Sequence, residues 1–140
     1  MAALEESLHA VPLFSELSKK DLKRLASSLH ERRFGAGEDV LVEGAGGVGF
    51  FVVLDGHARV WVQGEERATL GPGDYFGEMS VIDGGDRSAS VKADDDMRCV
   101  AMTAWHFRPF VREHPDVAWA LLTAMVKRVR AADARVPAAS

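Results

Sequence analysis

Phe50-Phe51-Val52-Val53-Leu54-Asp55-Gly56-His57-Ala58-Arg59-Val60-Trp61-Val62-Gln63-Gly64 is the stretch that decides the fold. Its two halves are short runs of β-branched and aromatic residues, parted by Asp55-Gly56 and followed by Gly64-Glu65. An Asp-Gly pair supplies the positive φ of a tight hairpin turn, so the stretch reads as antiparallel strands. The same texture extends from residue 35 to residue 102. Glycines punctuate short apolar runs at Asp39–Glu43, Arg67–Leu70, Ser88–Ala93 and Met97–Met102. No helical pattern separates these runs, which excludes a doubly wound parallel sheet and predicts a sandwich or roll.

The flanks change period. Leu4, Leu8 and Val11 recur at helix spacing, Pro12-Leu13-Phe14-Ser15 predicts a tight turn, and Ser18-Lys19-Lys20-Asp21 resembles a capping box. Leu22, Leu25 and Leu29 continue an apolar stripe, so residues 4–33 read as helical. At the other end Thr103 caps a predicted helix over Ala104–Arg112, and Pro115 opens a second, with Asp116 in its first turn. Trp119, Leu122, Val126 and Val129 form one apolar stripe there, and Leu121 and Met125 another. Val136–Ser140 reads as a frayed tail.

The chain of 140 residues fits one domain, and its formal charge of −4 lacks the basic surplus of an autonomous nucleic-acid binder. No run of about 18 apolar residues predicts a membrane span. The N-terminus lacks a secretory pattern, and the lone Cys99 excludes an internal disulfide, so a cytoplasmic setting is expected. Gly44-Ala45-Gly46-Gly47-Val48-Gly49 fits G-x-G-x-x-G, but a strand follows where dinucleotide binding needs a helix, so it reads as a loop. His9, His30, His57, His106 and His114 have no metal-ligand spacing, and no base neighbours Ser88 in sequence. Neither a metal site nor a catalytic residue is expected.

Residues 71–91 carry the chemistry. If Met79–Ile82 is one helical turn, its free amides favour an anion, and Arg87 adds a charged fork suited to phosphate. Glu78 would repel that anion unless the ligand also presents a hydroxyl donor, as a ribose phosphate does. The residue types equally allow a solvated Glu and Arg in a surface loop.

The ordered set of motifs goes further. Phe76-Gly77-Glu78-Met79-Ser80-Val81 and Arg87-Ser88-Ala89-Ser90-Val91 resemble the phosphate-binding cassette of the cyclic nucleotide-binding domain family. That family includes protein kinase A regulatory subunits, cyclic nucleotide-gated channels and bacterial catabolite activator proteins. Phe34-x-x-Gly37-Glu38-x-Val40, Glu43-Gly44, Phe51-x-Val53-x-x-Gly56-x-x-x-Val60 and Gly71-x-Gly73-Asp74-x-Phe76 are similar to its upstream pattern, and Pro12-Leu13-Phe14-x-x-Leu17 to its opening turn. The resemblance covers roughly residues 10–132.

It implies a mainly β fold with flanking helices (α+β). This is an antiparallel, jelly-roll-like double-stranded β-roll over residues 34–102, with N-terminal helices and two C-terminal helices over 104–135. It implies that Glu78 accepts from a ribose 2′-OH and that Arg87 pairs with a cyclic phosphate. Ser88 and the Ala89 amide would flank that phosphate, and the Gly77 amide would face the ribose. Phe76, Met79 and Ser80 complete the ligand-binding set. The family's base-capping residue has no fixed motif, and Leu122, Met125, Val126 and Val129 are all candidates.

The expected function is a stand-alone, non-catalytic receptor for cAMP, with cGMP as the alternative ligand, signalling through movement of its C-terminal helices. No cofactor is expected. A non-binding interaction scaffold and a small phosphodiesterase are the rivals from other classes. No DNA-recognition helix follows the last helix, so direct DNA binding is not expected of this chain, nor is membrane binding. The apolar surplus of the last helix would serve a weak homodimer or a protein partner.

Overall fold

The structure, a computed structural model, describes residues 2–44 and 49–135. The core of the glycine loop, 45–48, and the tail from Val136 lie outside the described residues. Eight strands occur among the described residues: β1 (His30–Phe34), β2 (Asp39–Leu41), β3 (Phe50–Asp55), β4 (Ala58–Val62), β5 (Glu65–Leu70), β6 (Tyr75–Phe76), β7 (Ser90–Ala93) and β8 (Met97–Met102). They form two antiparallel four-stranded sheets, in the orders β1-β8-β3-β6 and β2-β7-β4-β5. This is the expected roll with flanking helices.

Side chains alternate across a strand, and in the first sheet β3 and β8 are covered on both faces. Phe50, Val52, Val100 and Met102 join the helices in one apolar cluster, while Phe51, Val53, Met97 and Cys99 point into the roll. The run Phe50–Val53 is therefore buried throughout. In the second sheet Leu41, Ala58, Val91 and Ala93 face the roll interior, and the other side is largely exposed. Gly56 turns β3 into β4 with φ 83°, and a Cβ there would lie 2.4 Å from the Asp96 carbonyl oxygen. Only glycine fits that approach.

The helices are α1 (Ala2–His9), α2 (Lys19–Ser27), α3 (Glu78–Asp83), α4 (Ala104–Glu113) and α5 (Pro115–Arg135), with a 3₁₀ turn at Pro12–Phe14. Ser18 caps α2 by accepting from the Asp21 amide at 3.1 Å. The Thr103 hydroxyl meets His106 Nδ1 at 3.1 Å rather than a free amide. Val117 and Leu121 of α5 are buried against the helical cluster.

One boundary differs from expectation. Helix does not run to residue 33, because His30–Phe34 pairs with β8 over five register positions. Four of its five residues are exposed, so β1 shows no apolar alternation. Cross-strand charge holds it instead: Arg98 donates to Glu31 at 3.1 Å and to Asp55 at 2.8 Å. No described helix is long and apolar enough to cross a membrane.

Candidate functional site

The chain leaves β6 at Phe76, reverses at Gly77 and enters α3. Gly77 has φ 88°, and a Cβ there would sit 2.3 Å from the Gly49 carbonyl oxygen and 3.3 Å from Arg87 Nη1. Any side chain at residue 77 would be strained by conformation and by contact. The first-turn amides of α3 have no partner within the helix, and Gly77 as N-cap offers no side chain to take them. The helix closes at Gly84, whose amide donates to the Ser80 carbonyl at 2.8 Å.

A cavity of about 580 Å³ opens here. All eight residues singled out in the sequence line it: Phe76, Gly77, Glu78, Met79, Ser80, Arg87, Ser88 and Ala89. One wall is apolar, built by Leu41, Val60, Val62, Leu70 and Val91 of the second sheet. Arg67 of β5 and Tyr75 of β6 add polar groups at the margins. Burial pushes the Tyr75 phenol above its ordinary pKa, with the Glu78 charge second, so it stays neutral.

The two charged residues are in opposite situations. Arg87 is 8% exposed, and its Nη1 donates to the Gly49 carbonyl at 3.1 Å. Among the described residues no carboxylate lies within ion-pair distance of it. Burial lowers its pKa from the ordinary guanidinium value, the direction for a cation stripped of water without an anion to replace it. Its own carbonyl accepts from the Gly44 amide at 2.9 Å, which fixes the backbone behind it. Glu78, 4% exposed, is already paired: Oε1 accepts from Arg128 Nη1 at 2.5 Å. Arg128 belongs to α5 and lies 50 residues away in sequence. Ser88 spends its hydroxyl on Met79 Sδ at 3.2 Å.

Sequence reasoning missed Arg128. It stands in a cluster of cations near the C-terminus of α5, which reads as compensation of the helix dipole. The base-capping candidates fare otherwise: Leu122, Val126 and Val129 are exposed, and neither they nor Met125 lines the cavity. Arg128 and Ala131 are the α5 residues that do.

The remaining chemical candidates stay apart from this cavity. Cys99 is enclosed in the roll, and burial pushes its thiol up to about 12, so it is not a nucleophile. His57 pairs with Asp95 at 2.9 Å on the surface. Among the described residues no three His, Cys, Asp or Glu side chains are placed to hold a metal ion. The cavity thus combines an unneutralised buried cation, free amides, one carboxylate and an apolar wall. It suits a ligand with an anionic group, a hydroxyl and a flat apolar part.

A family profile described as cyclic nucleotide-binding domain matches residues 31–114. The chain is 34% identical over 127 residues to the cyclic AMP receptor protein of Thermus thermophilus, covering 87% of this chain and 59% of that protein. It is 37% identical over 109 residues to the cAMP-dependent protein kinase regulatory subunit of Mycosarcoma maydis, covering 73% of this chain and 21% of that one. The crystal structure of the Thermus thermophilus catabolite activator protein superposes with a TM-score of 0.79 at 34% identity, over 87% of this chain and 60% of that chain. The chain therefore spans less than two thirds of each relative's length.

Proposed function

We propose, from the premise that this chain belongs to the cyclic nucleotide-binding domain family, that its cavity binds a cyclic nucleotide monophosphate and that α5 reports the binding. cAMP is the first choice of ligand, since both relatives described above carry cyclic AMP in their names. The observation that carries the reading is Arg87, a buried guanidinium without a carboxylate partner among the described residues, beside the free amides of a short helix. A cyclic phosphate supplies the missing charge, and the guanidinium offers it two parallel donors. The ribose hydroxyl donates to Glu78, and the base lies along Val60, Val62 and Leu70.

The step from binding to signal runs through Glu78. Its partner Arg128 sits on α5, so whatever changes the hydrogen bonds of Glu78 changes the hold of α3 on α5. A ligand shifts the helix only by binding one arrangement better than the other, and the shared carboxylate provides that difference. No step of this reading breaks a bond in the ligand. The role is receptor rather than catalyst.

Titration calorimetry with cAMP, cGMP and 5′-AMP tests the reading. Binding of a cyclic nucleotide, with 5′-AMP weaker, is expected. Arg87→Ala should weaken it by about 30-fold or more, since truncating one partner of a buried charged pair costs roughly 2–5 kcal/mol. Circular dichroism of the variant should be unchanged. Absence of heat with either cyclic nucleotide would return the non-binding scaffold as the function, and appearance of AMP from cAMP would return the phosphodiesterase.

A further inference from the structure

Two arginines reach α3 from different helices, one toward each end. At its start Arg128 of α5 donates to the Glu78 carboxylate. Near its close Arg108 of α4 donates through Nε to the Val81 carbonyl at 3.0 Å. The second contact has no part in the reading above. We infer that Arg108 is a positioning residue for the cavity: it caps the C-terminal end of α3 from another helix and so holds Glu78, Met79 and Ser80 at the cavity they line.

The backbone hydrogen bonds of α3 show why it needs that cap. A helix of six residues leaves its last carbonyls without partners and is too short to persist by itself. The Ser80 carbonyl is taken by the Gly84 amide at 2.8 Å. The Val81 carbonyl is next in line for the Gly85 amide, but that amide donates to Asp83 Oδ1 at 2.8 Å. Val81 is 0% exposed, so water does not reach its carbonyl, and a buried acceptor without a donor is costly. The Arg108 N–H supplies the donor, and its positive charge lies at the end of α3 that favours a cation.

The two arginines differ in what a ligand can do to them. Glu78 lines the cavity, so a ribose hydroxyl competes with Arg128 for one carboxylate. Val81 is not a lining residue, so the Arg108 bond is independent of occupancy. Arg108 is therefore the fixed hold on α3, and Arg128 the releasable one. That α3 carries binding residues rests on the function proposed above; that Arg108 caps α3 does not.

Two variants separate the hydrogen bond from size and charge. Arg108→Gln keeps an N–H donor the same number of bonds from the backbone as Nε, without the charge. Arg108→Met keeps an unbranched stem and has no donor. Arg108 is exposed, so neither change opens the core. Without ligand, NMR amide exchange of Ile82, Asp83 and Gly84 should be about tenfold faster in Arg108→Met and within about threefold of wild type in Arg108→Gln. Amides of β3 and β8 should be unchanged in both. Calorimetric titration with cAMP and its 2′-deoxy analogue then reads the positioning. Arg108→Met should bind cAMP about tenfold more weakly and distinguish the two sugars less, because a displaced Glu78 no longer meets the hydroxyl. Arg108→Gln should recover most of the affinity and of the gap. Wild-type exchange or affinity in Arg108→Met, a loss that Arg108→Gln does not rescue, or faster exchange shared with β3 and β8 would each overturn the proposal. No binding by the wild type would overturn the function proposed above, and the exchange of α3 would still decide for or against the cap.

Discussion

The two sheets of the roll are built from similar numbers of residues and do different work. In the β1-β8-β3-β6 sheet, β3 and β8 are clamped between the helical cluster and the roll interior, so Phe50–Val53 of β3 is buried without a break. The β2-β7-β4-β5 sheet has one side on the roll interior and cavity and the other in water. No residue of β5 is fully buried. The first sheet holds the fold through apolar area. The second is a wall whose inner side chains, Val60, Val62 and Leu70, line the cavity, where the proposed function places the ligand. Stability and recognition are therefore assigned to different strands, and substitutions can separate them.

The most severe way to break the comparison is in the twice-covered sheet. Phe50 packs on Phe107 with ring centroids 4.7 Å apart and on Tyr75 at 5.5 Å. Phe50→Ala should cost about 3–5 kcal/mol of stability, read from the midpoint of urea unfolding at unchanged slope. A loss below about 1 kcal/mol would mean that the helices do not close that face. Next comes the carboxylate at the edge of the wall. A hydrogen bond to a charged group contributes about 1.5–3 kcal/mol, so a 2′-deoxy cyclic nucleotide should bind roughly tenfold or more weakly than its ribose counterpart. Glu78→Gln should narrow that gap, and equal affinities in the wild type would remove Glu78 from the site.

How far the sequence reveals this division depends on the strand. β3 is legible because burial on both faces leaves an unbroken apolar run, and its Asp-Gly turn is local chemistry. β1 is not, because it is held by backbone pairing and by Arg98, a residue far along the chain from Glu31. β6 is only two residues long and has no period to detect. The cassette is legible because its eight residues are nearly contiguous and the fold brings all of them to one cavity. Arg128 is invisible for the opposite reason. Its partner lies on another element, and only the fold of the roll brings the two together.

Arg128 also sharpens the comparison, since it ties α3, which borders the cavity and belongs to neither sheet, to α5. Hydrogen exchange measured with and without cyclic nucleotide should show slower exchange over residues 117–132 in the wild type. In Arg128→Ala the protection should retreat to residues 71–91 while binding persists. Unchanged protection of α5 in the variant would show that the helix is reached by another route.

The smallest effect is expected at the outer edge of the first sheet. Arg98, and then Arg33, hold the Glu31 carboxyl below the usual carboxylate range through hydrogen bonds. A carboxyl depressed in the folded state stabilises above its unfolded value and loses that contribution as pH falls through the folded one. Glu31→Gln should therefore lower the thermal midpoint slightly at neutral pH, and the difference should close in acid. A difference that widens in acid would mean the ion pairs do not hold β1.

Arg87 grips both sides of the glycine loop. Its carbonyl takes the Gly44 amide and its guanidinium takes the Gly49 carbonyl, so one residue brackets the intervening segment. Lengthening a loop whose ends are already tied adds closure entropy slowly, by roughly 0.6 kcal/mol for each doubling. The bracket therefore makes this a natural splice point. A fluorescent reporter grafted between Gly44 and Gly49 would be anchored through Arg87, the residue proposed to meet the phosphate, and under that proposal an engineered sensor would take its readout at the first contact with ligand.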